Sequence, residues 1–151
     1  MSATQVSPFA TAGDMLSALR DRTISARELL DMHLQRIERY NPALNAIVTE
    51  NFEEARPTAA EADRMIPLRD DQPLLGLPLT IKDCIYVRGL VTTGGVPERA
   101  GAVSEVDAVL TKRVRAAGGI IMGKTNTPPY AADWQTNNPI FGRSNNPWNL
   151  E

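Results

Sequence analysis

Only three of the 16 basic residues are lysines: Lys82, Lys112 and Lys124. A guanidinium does not deprotonate in a protein, so among the basic residues only these three can act as a neutral base. Lys82 lies inside an otherwise apolar segment, where an ammonium is costly to bury unless it has partners or has shed its proton. Position alone therefore allows a general base, an amine that forms a Schiff base with a carbonyl substrate, or an edge-strand lysine left in water. Asp83 follows directly, but neighbours in a strand face opposite sides, so it is poorly placed to neutralise Lys82. Lys112 reads as a solvated surface charge. Lys124, in the segment Gly123, Lys124, Thr125, Asn126, reads first as a structural anchor for a loop and second as a substrate contact.

Other reactive side chains are few. Cys84 shares the face of Lys82 two places along, but no downstream His and Asp arrangement supports a nucleophile, and a small buried core residue is expected. One cysteine cannot form an internal disulfide, and with His33 as the lone histidine no metal site is expected. His33 falls beside an apolar helix stripe and reads as a partly buried structural residue. Gly94 and Gly95, after Thr92 and Thr93, read as a tight turn, because they do not lead into a helix as a phosphate loop does. Trp134 and Trp148 read as packing anchors for a long loop.

The elements that must carry these residues follow from periodicity. Ser25 to Glu28 fits a capping box, and Leu29, Leu30, Leu34 and Ile37 recur at helical spacing until Asn41 and Pro42, which predicts a helix over 26–39. A shorter helix is expected over 14–20, and a solvated one over 51–65 with Pro57 as a flaw or a second start. Residues 67–76 read as a connector. Leu77 to Tyr86 reads as a strand in which Leu77, Leu79 and Ile81 alternate against Pro78, Thr80 and Lys82. Residues 106–117 read as a helix with Val106, Val109, Leu110 and Val114 on its apolar stripe and Gly118 and Gly119 as its stop. Ile120 to Met122 follows as a buried strand. Strand, helix, strand in this order predicts a crossover unit and an α/β sheet.

Composition removes several classes. The 151 residues are 42% hydrophobic and 23% charged, enough for one core. A net charge of -2 without a basic block gives no footprint for nucleic acid. The sequence has neither a secretory-type start nor a run of roughly 20 apolar residues, so no membrane partner and a cytoplasmic protein are expected. Thr125 to Glu151 holds four prolines and six asparagines and reads as an irregular loop. The sequence stops there just where another element is expected, which reads as a truncated protein, 1–151 forming a single partial domain.

Three segments then carry a resemblance: GLPLTIKDCIYVRGLVTTGG (76–95), DAVLTKRVRAAGGIIMGKTNTPPYA (107–131) and NPIFGRSNNPWNL (138–150). In content, order and spacing they resemble the amidase signature family, over most of the chain from Leu29 onward. The resemblance implies an α/β/α fold with a mixed central sheet, of which this sequence holds the N-terminal helices and first strands. It implies hydrolysis of carboxamides by a serine, serine, lysine triad with no cofactor. Lys82 falls where the family keeps its catalytic lysine, which takes a proton from a bridging serine that relays it from the nucleophilic serine. An ammonium in water keeps its proton at neutral pH, so the family mechanism needs Lys82 in a dry, closed site.

Both serines of the family follow an Asn-Pro-Trp motif, here Asn146, Pro147 and Trp148, and neither is present in this sequence; Ser144 precedes the motif and lacks glycine neighbours. The region of Tyr130, Ala131 and Asp133 is expected to contact substrate. Pro129 departs from the acidic residue or glutamine that many relatives carry. The reading is thus the N-terminal part of an amidase, inactive alone. Its expected partners are a small-molecule amide, a C-terminal half chain and, through an open sheet edge, further copies of itself. The alternatives are a non-enzymatic or regulatory partner of a separate C-terminal half, and a Schiff-base lyase.

Overall fold

The computed structural model describes residues 6–68 and 71–150. Two helices open the chain, and each begins where a side chain takes over the orphan amides of its first turn. Helix α1, Ala12–Arg20, is capped by Thr11 and Asp14, and α2, Ala26–Leu44, by Ser25 and Glu28, both as reciprocal capping boxes. The predicted stop at Asn41 and Pro42 is displaced: α2 runs through Pro42 and ends at Asn45 in the left-handed conformation. Pro42 is exposed, and the stop comes from the Asn41 side chain, whose Oδ1 accepts from the amides of Ala46 and Ile47 at 2.9 and 2.8 Å. Strand β1, Ile47–Glu50, leads into α3, Phe52–Met65, which holds Pro57 on an exposed position without breaking.

The strand expected over 77–86 is shorter. It spans Pro78–Lys82 as β2, because the Ile85 amide turns back to the Lys82 carbonyl at 2.9 Å. Helix α4, Val109–Ala116, then carries the chain to β3, Ile120–Thr125. Strand order is β1-β3-β2, with β1 antiparallel and β2 parallel to β3, so the sheet is mixed. Gly123 makes the β1 side possible: an added Cβ would lie 2.7 Å from the Thr49 carbonyl oxygen.

Alternation along β3 distributes the core. Ile120 and Met122 join Leu77, Met15 and Leu19 of α1, Leu29, Leu30 and Leu34 of α2, and three alanines of α3. Ile121, on the opposite face, joins Ile81 and Val87, with Leu79 and Val114 packed against them. Helices α1 to α3 thus lie on one side of the sheet and α4 on the other, as the α/β/α expectation requires. Each fully buried leucine of the first layer contributes roughly 1.5–3 kcal/mol.

The predicted stripe of α4 is corrected. Val106, Val109 and Leu110 are exposed, and the helix docks instead through Val114 and the fully buried Thr111, whose hydroxyl donates to the Tyr86 carbonyl at 2.7 Å. Residues after Thr125 are less irregular than expected, since Asn137–Asn138 (β4) pairs antiparallel with Gly142–Arg143 (β5).

Candidate active site

Because β2 and β3 are parallel, their carboxyl ends meet at one edge, the side on which open α/β sheets bind ligands. Lys82 is the last residue of β2. Its side chain is exposed, and its Nζ donates to the Asn126 carbonyl at 3.5 Å. The dry surroundings expected for Lys82 are thus not supplied by the described residues.

Asn126 is firmly held. Its Nδ2 donates to the Gly142 carbonyl and to Ser144 Oγ, both at 3.1 Å, and its Oδ1 accepts from Asn138 Nδ2 at 2.7 Å. Asn138 also donates to the Thr127 carbonyl at 2.8 Å and accepts from the amides of Ile140 and Phe141, both at 2.9 Å. Ser144 Oγ donates to the Asn45 carbonyl at 2.6 Å, and Asn45 Nδ2 donates to that of Phe141, also at 2.6 Å. The asparagines that read as loop composition are therefore the framework of the loop, replacing secondary structure with side-chain bonds to backbone.

Behind this edge lies a buried ion pair. Lys124 and Asp83 are both fully buried, with Lys124 Nζ 3.4 Å from Asp83 Oδ1. The same ammonium donates to Thr92 Oγ1 at 2.6 Å, to the Val91 carbonyl at 3.3 Å and to the Asp83 carbonyl at 3.4 Å. Asp83 Oδ2 accepts from the Thr93 amide at 3.1 Å and from the Thr93 hydroxyl. Burial pushes Lys124 below the ordinary lysine value, and the Asp83 carboxylate opposes that push. The structural role expected for Lys124 is what the geometry gives. Asp83 does not face Lys82, as anticipated, but its partner across the strands was invisible in the sequence: the two lie 41 residues apart.

Gly94 and Gly95 form a turn, both with positive φ. An added Cβ on Gly95 would sit 2.9 Å from the Pro129 nitrogen, so the turn packs directly on the backbone that leads to Tyr130. The Tyr130 amide donates to the Gly94 carbonyl at 2.9 Å. Tyr130 and Ala131 both take φ of 56°, a left-handed conformation in which a β-carbon is strained. Tyr130, Ala131 and Asp133 are exposed, and Asp133 Oδ1 accepts from the amides of Trp134 and Gln135 at 2.6 and 3.3 Å. No hydrogen bond among the described residues joins these three to Lys82 itself; the loop reaches it through Asn126.

Two further expectations are corrected. Cys84 is exposed instead of buried, because the chain leaves the sheet in a turn after Lys82. Trp134 and Trp148 are almost fully exposed and anchor nothing in the described residues; the asparagine framework does that work. His33 is half-buried as expected, and burial lowers its pKa, with Arg36 adding to the effect. Lys112 is exposed, also as expected. No group of three or more His, Cys, Asp or Glu residues that could hold a metal occurs among the described residues, and no helix there is long and apolar enough to cross a membrane.

The chain as a whole has close counterparts among known proteins. The Amidase family matches residues 28–151, and the chain belongs to that family. It is 37% identical over 141 residues to an acylamidase of Rhodococcus erythropolis, covering 93% of this chain and 30% of that protein. It is 32% identical to fatty-acid amide hydrolase 2-B of Danio rerio, covering 93% and 28%. Among solved structures it superposes on 6-aminohexanoate cyclic dimer hydrolase with a TM-score of 0.84 at 30% identity, covering 97% of this chain and 29% of that one. A bacterial aryl acylamidase of the amidase signature enzymes gives a TM-score of 0.86 at 29% identity, covering 94% and 30%. The chain therefore spans about 30% of the length of the curated relatives it matches.

Proposed function

We propose that residues 1–151 supply the general base and part of the substrate wall of an enzyme that hydrolyses carbon-nitrogen bonds of carboxamides. The observation that carries this reading is the position of Lys82: the terminal residue of β2, at the ligand-binding edge, within a segment matched by the Amidase family. In this reading neutral Lys82 accepts a proton from a bridging serine, which takes one from the nucleophilic serine. The serine oxygen attacks the amide carbon, the amine leaves with the relayed proton, and water then releases the acid. Both serines lie outside residues 1–151, and the polypeptide that carries them excludes water from the Lys82 amine. Tyr130, Ala131 and Asp133 form one wall of the substrate pocket, and no cofactor takes part. The 151 residues are one portion of a single larger domain, so by themselves they do not turn over amides.

Purified residues 1–151, assayed on simple aryl and aliphatic amides, are expected to match the Lys82→Ala background. Turnover that depends on Lys82 in this chain alone would overturn the division of the triad. Co-expression with a C-terminal amidase portion is expected to give turnover that Lys82→Ala lowers by roughly 10³-fold or more. Full activity of Lys82→Ala in that assembly would remove the base role.

A further inference from the structure

Resting on that reading of Lys82, we infer that Lys124 and Asp83 are positioning residues that aim the Lys82 amine at the Asn126 carbonyl. Asp83 is the residue after Lys82, and Lys124 precedes Asn126 by two, so one buried ion pair sits next to both ends of the Lys82 to Asn126 contact. The backbone at Asp83 is fixed from several directions. Its amide donates to the Thr125 carbonyl at 2.9 Å, and its carbonyl accepts from the Gly94 amide at 3.3 Å and from Lys124 Nζ. Its carboxylate is clamped by Thr93. The ammonium in turn draws the Val91 carbonyl and the Thr92 hydroxyl to the same point.

A buried ion pair is weak evidence for a stabilising purpose, because well-packed apolar residues of similar volume hold a fold as well or better. Apolar side chains have no means, however, of fixing the direction of two carbonyl groups and a carboxylate at once. Direction is what the end of β2 requires, since beyond Lys82 the strand has no further ladder to follow. The threonines complete the device: Ser104 Oγ donates to Thr92 Oγ1 at 2.8 Å, and the Gly95 amide donates to Thr93 Oγ1 at 2.9 Å. The glycine turn that touches the Tyr130 loop is thereby tied to the same ammonium.

Nuclear magnetic resonance of the 151-residue chain tests this without reference to turnover. In Lys124→Met the Lys82 Cε and Hε resonances are expected to move to those of the exposed Lys112, the reference for a free lysine. Amide exchange at Asp83, Thr93 and Gly94 is expected to quicken roughly tenfold or more while Leu30 in α2 is unchanged. Faster exchange at those amides with Lys82 resonances unmoved would mean that the pair only stabilises, and the inference fails. Should Lys124→Met lose α2 protection as well, Thr92→Val removes one acceptor while keeping the shape, and the same displacement of Lys82, smaller in size, is expected. An unmoved Lys82 in folded Thr92→Val likewise overturns the inference. None of these outcomes bears on whether Lys82 is a base, which the Lys82→Ala turnover assay decides separately.

Discussion

The helical layer of α1 to α3 and the carboxyl edge around β2 and β3 follow opposite rules. In the first, leucines and alanines fill the core and no charged residue among those described is fully buried, Arg27, Glu28 and Arg56 being exposed. In the second, a lysine and an aspartate are fully buried while Tyr130, Trp134 and Trp148 stand in solvent. Ordinary folding energetics favours the first arrangement, because apolar burial stabilises and charge burial costs. Local rules inverted in this way are expected where side chains serve positioning, the role inferred above for Lys124 and Asp83.

That contrast breaks or sharpens under substitution. The largest expected effect is at the inverted edge: Asp83→Ala leaves the Lys124 ammonium buried without a counter-charge and is expected to cost about 3–5 kcal/mol in denaturant unfolding. The paired replacement Asp83→Leu with Lys124→Met is expected to recover most of it; a double variant as unstable as the single one would show that charge pairing is not what the edge depends on. Next is the conventional layer, where Leu29→Ala is expected to cost about 2–5 kcal/mol by opening a cavity, read from the same denaturation curves.

Smaller again is the cap. Ser25→Ala is expected to cost about 1 kcal/mol and to change the acid limb of stability. The Ser25 amide and hydroxyl hold Glu28 below its usual value of 4.5. A carboxylate with a lowered folded pKa stabilises above the unfolded value and loses that contribution as pH falls through the folded one. The wild-type chain should therefore lose stability more steeply below pH 4.5 than Ser25→Ala, measured by urea midpoints across pH 3–6. Smallest is Trp134→Ala, expected within about 0.5 kcal/mol of wild type by thermal unfolding, since the ring touches so little. A loss above 2 kcal/mol would place Trp134 in a core and erase the contrast.

The two regions also differ in how far they were legible in the sequence. The Ser25 to Glu28 cap, the leucine spacing of α2 and the order strand, helix, strand are local signals, and the structure carries all three. The prolines misled because Pro42 and Pro57 lie on exposed turns, where a missing backbone donor is tolerated. The stripe of α4 misled because periodicity does not say which flank meets the sheet; Thr111 docks by its hydroxyl while Val109 faces out. Lys82 drew attention by its apolar segment, yet it ends β2 and is exposed, so its role as the base rests on resemblance and stays a proposal. The partner of Lys124 was not, because Asp83 comes to it only through the pairing of β2 with β3. Most of the asparagine framework stayed hidden for the same reason, since apart from the local bonds of Asn138 to the amides of Ile140 and Phe141 its bonds join residues brought together by the fold.

Strand order carries a temporal consequence. β3 lies between β1 and β2 yet is made after both. A nascent polypeptide leaving the ribosome can wind α1, α2 and α3 early, but its first two strands have no neighbour to pair with until residues 120–125 emerge. Non-local pairings of this kind are slow and leave strand edges open to association in the interval. Synthesis of β3 joins β1 to β2 and brings the Lys124 cation beside Asp83.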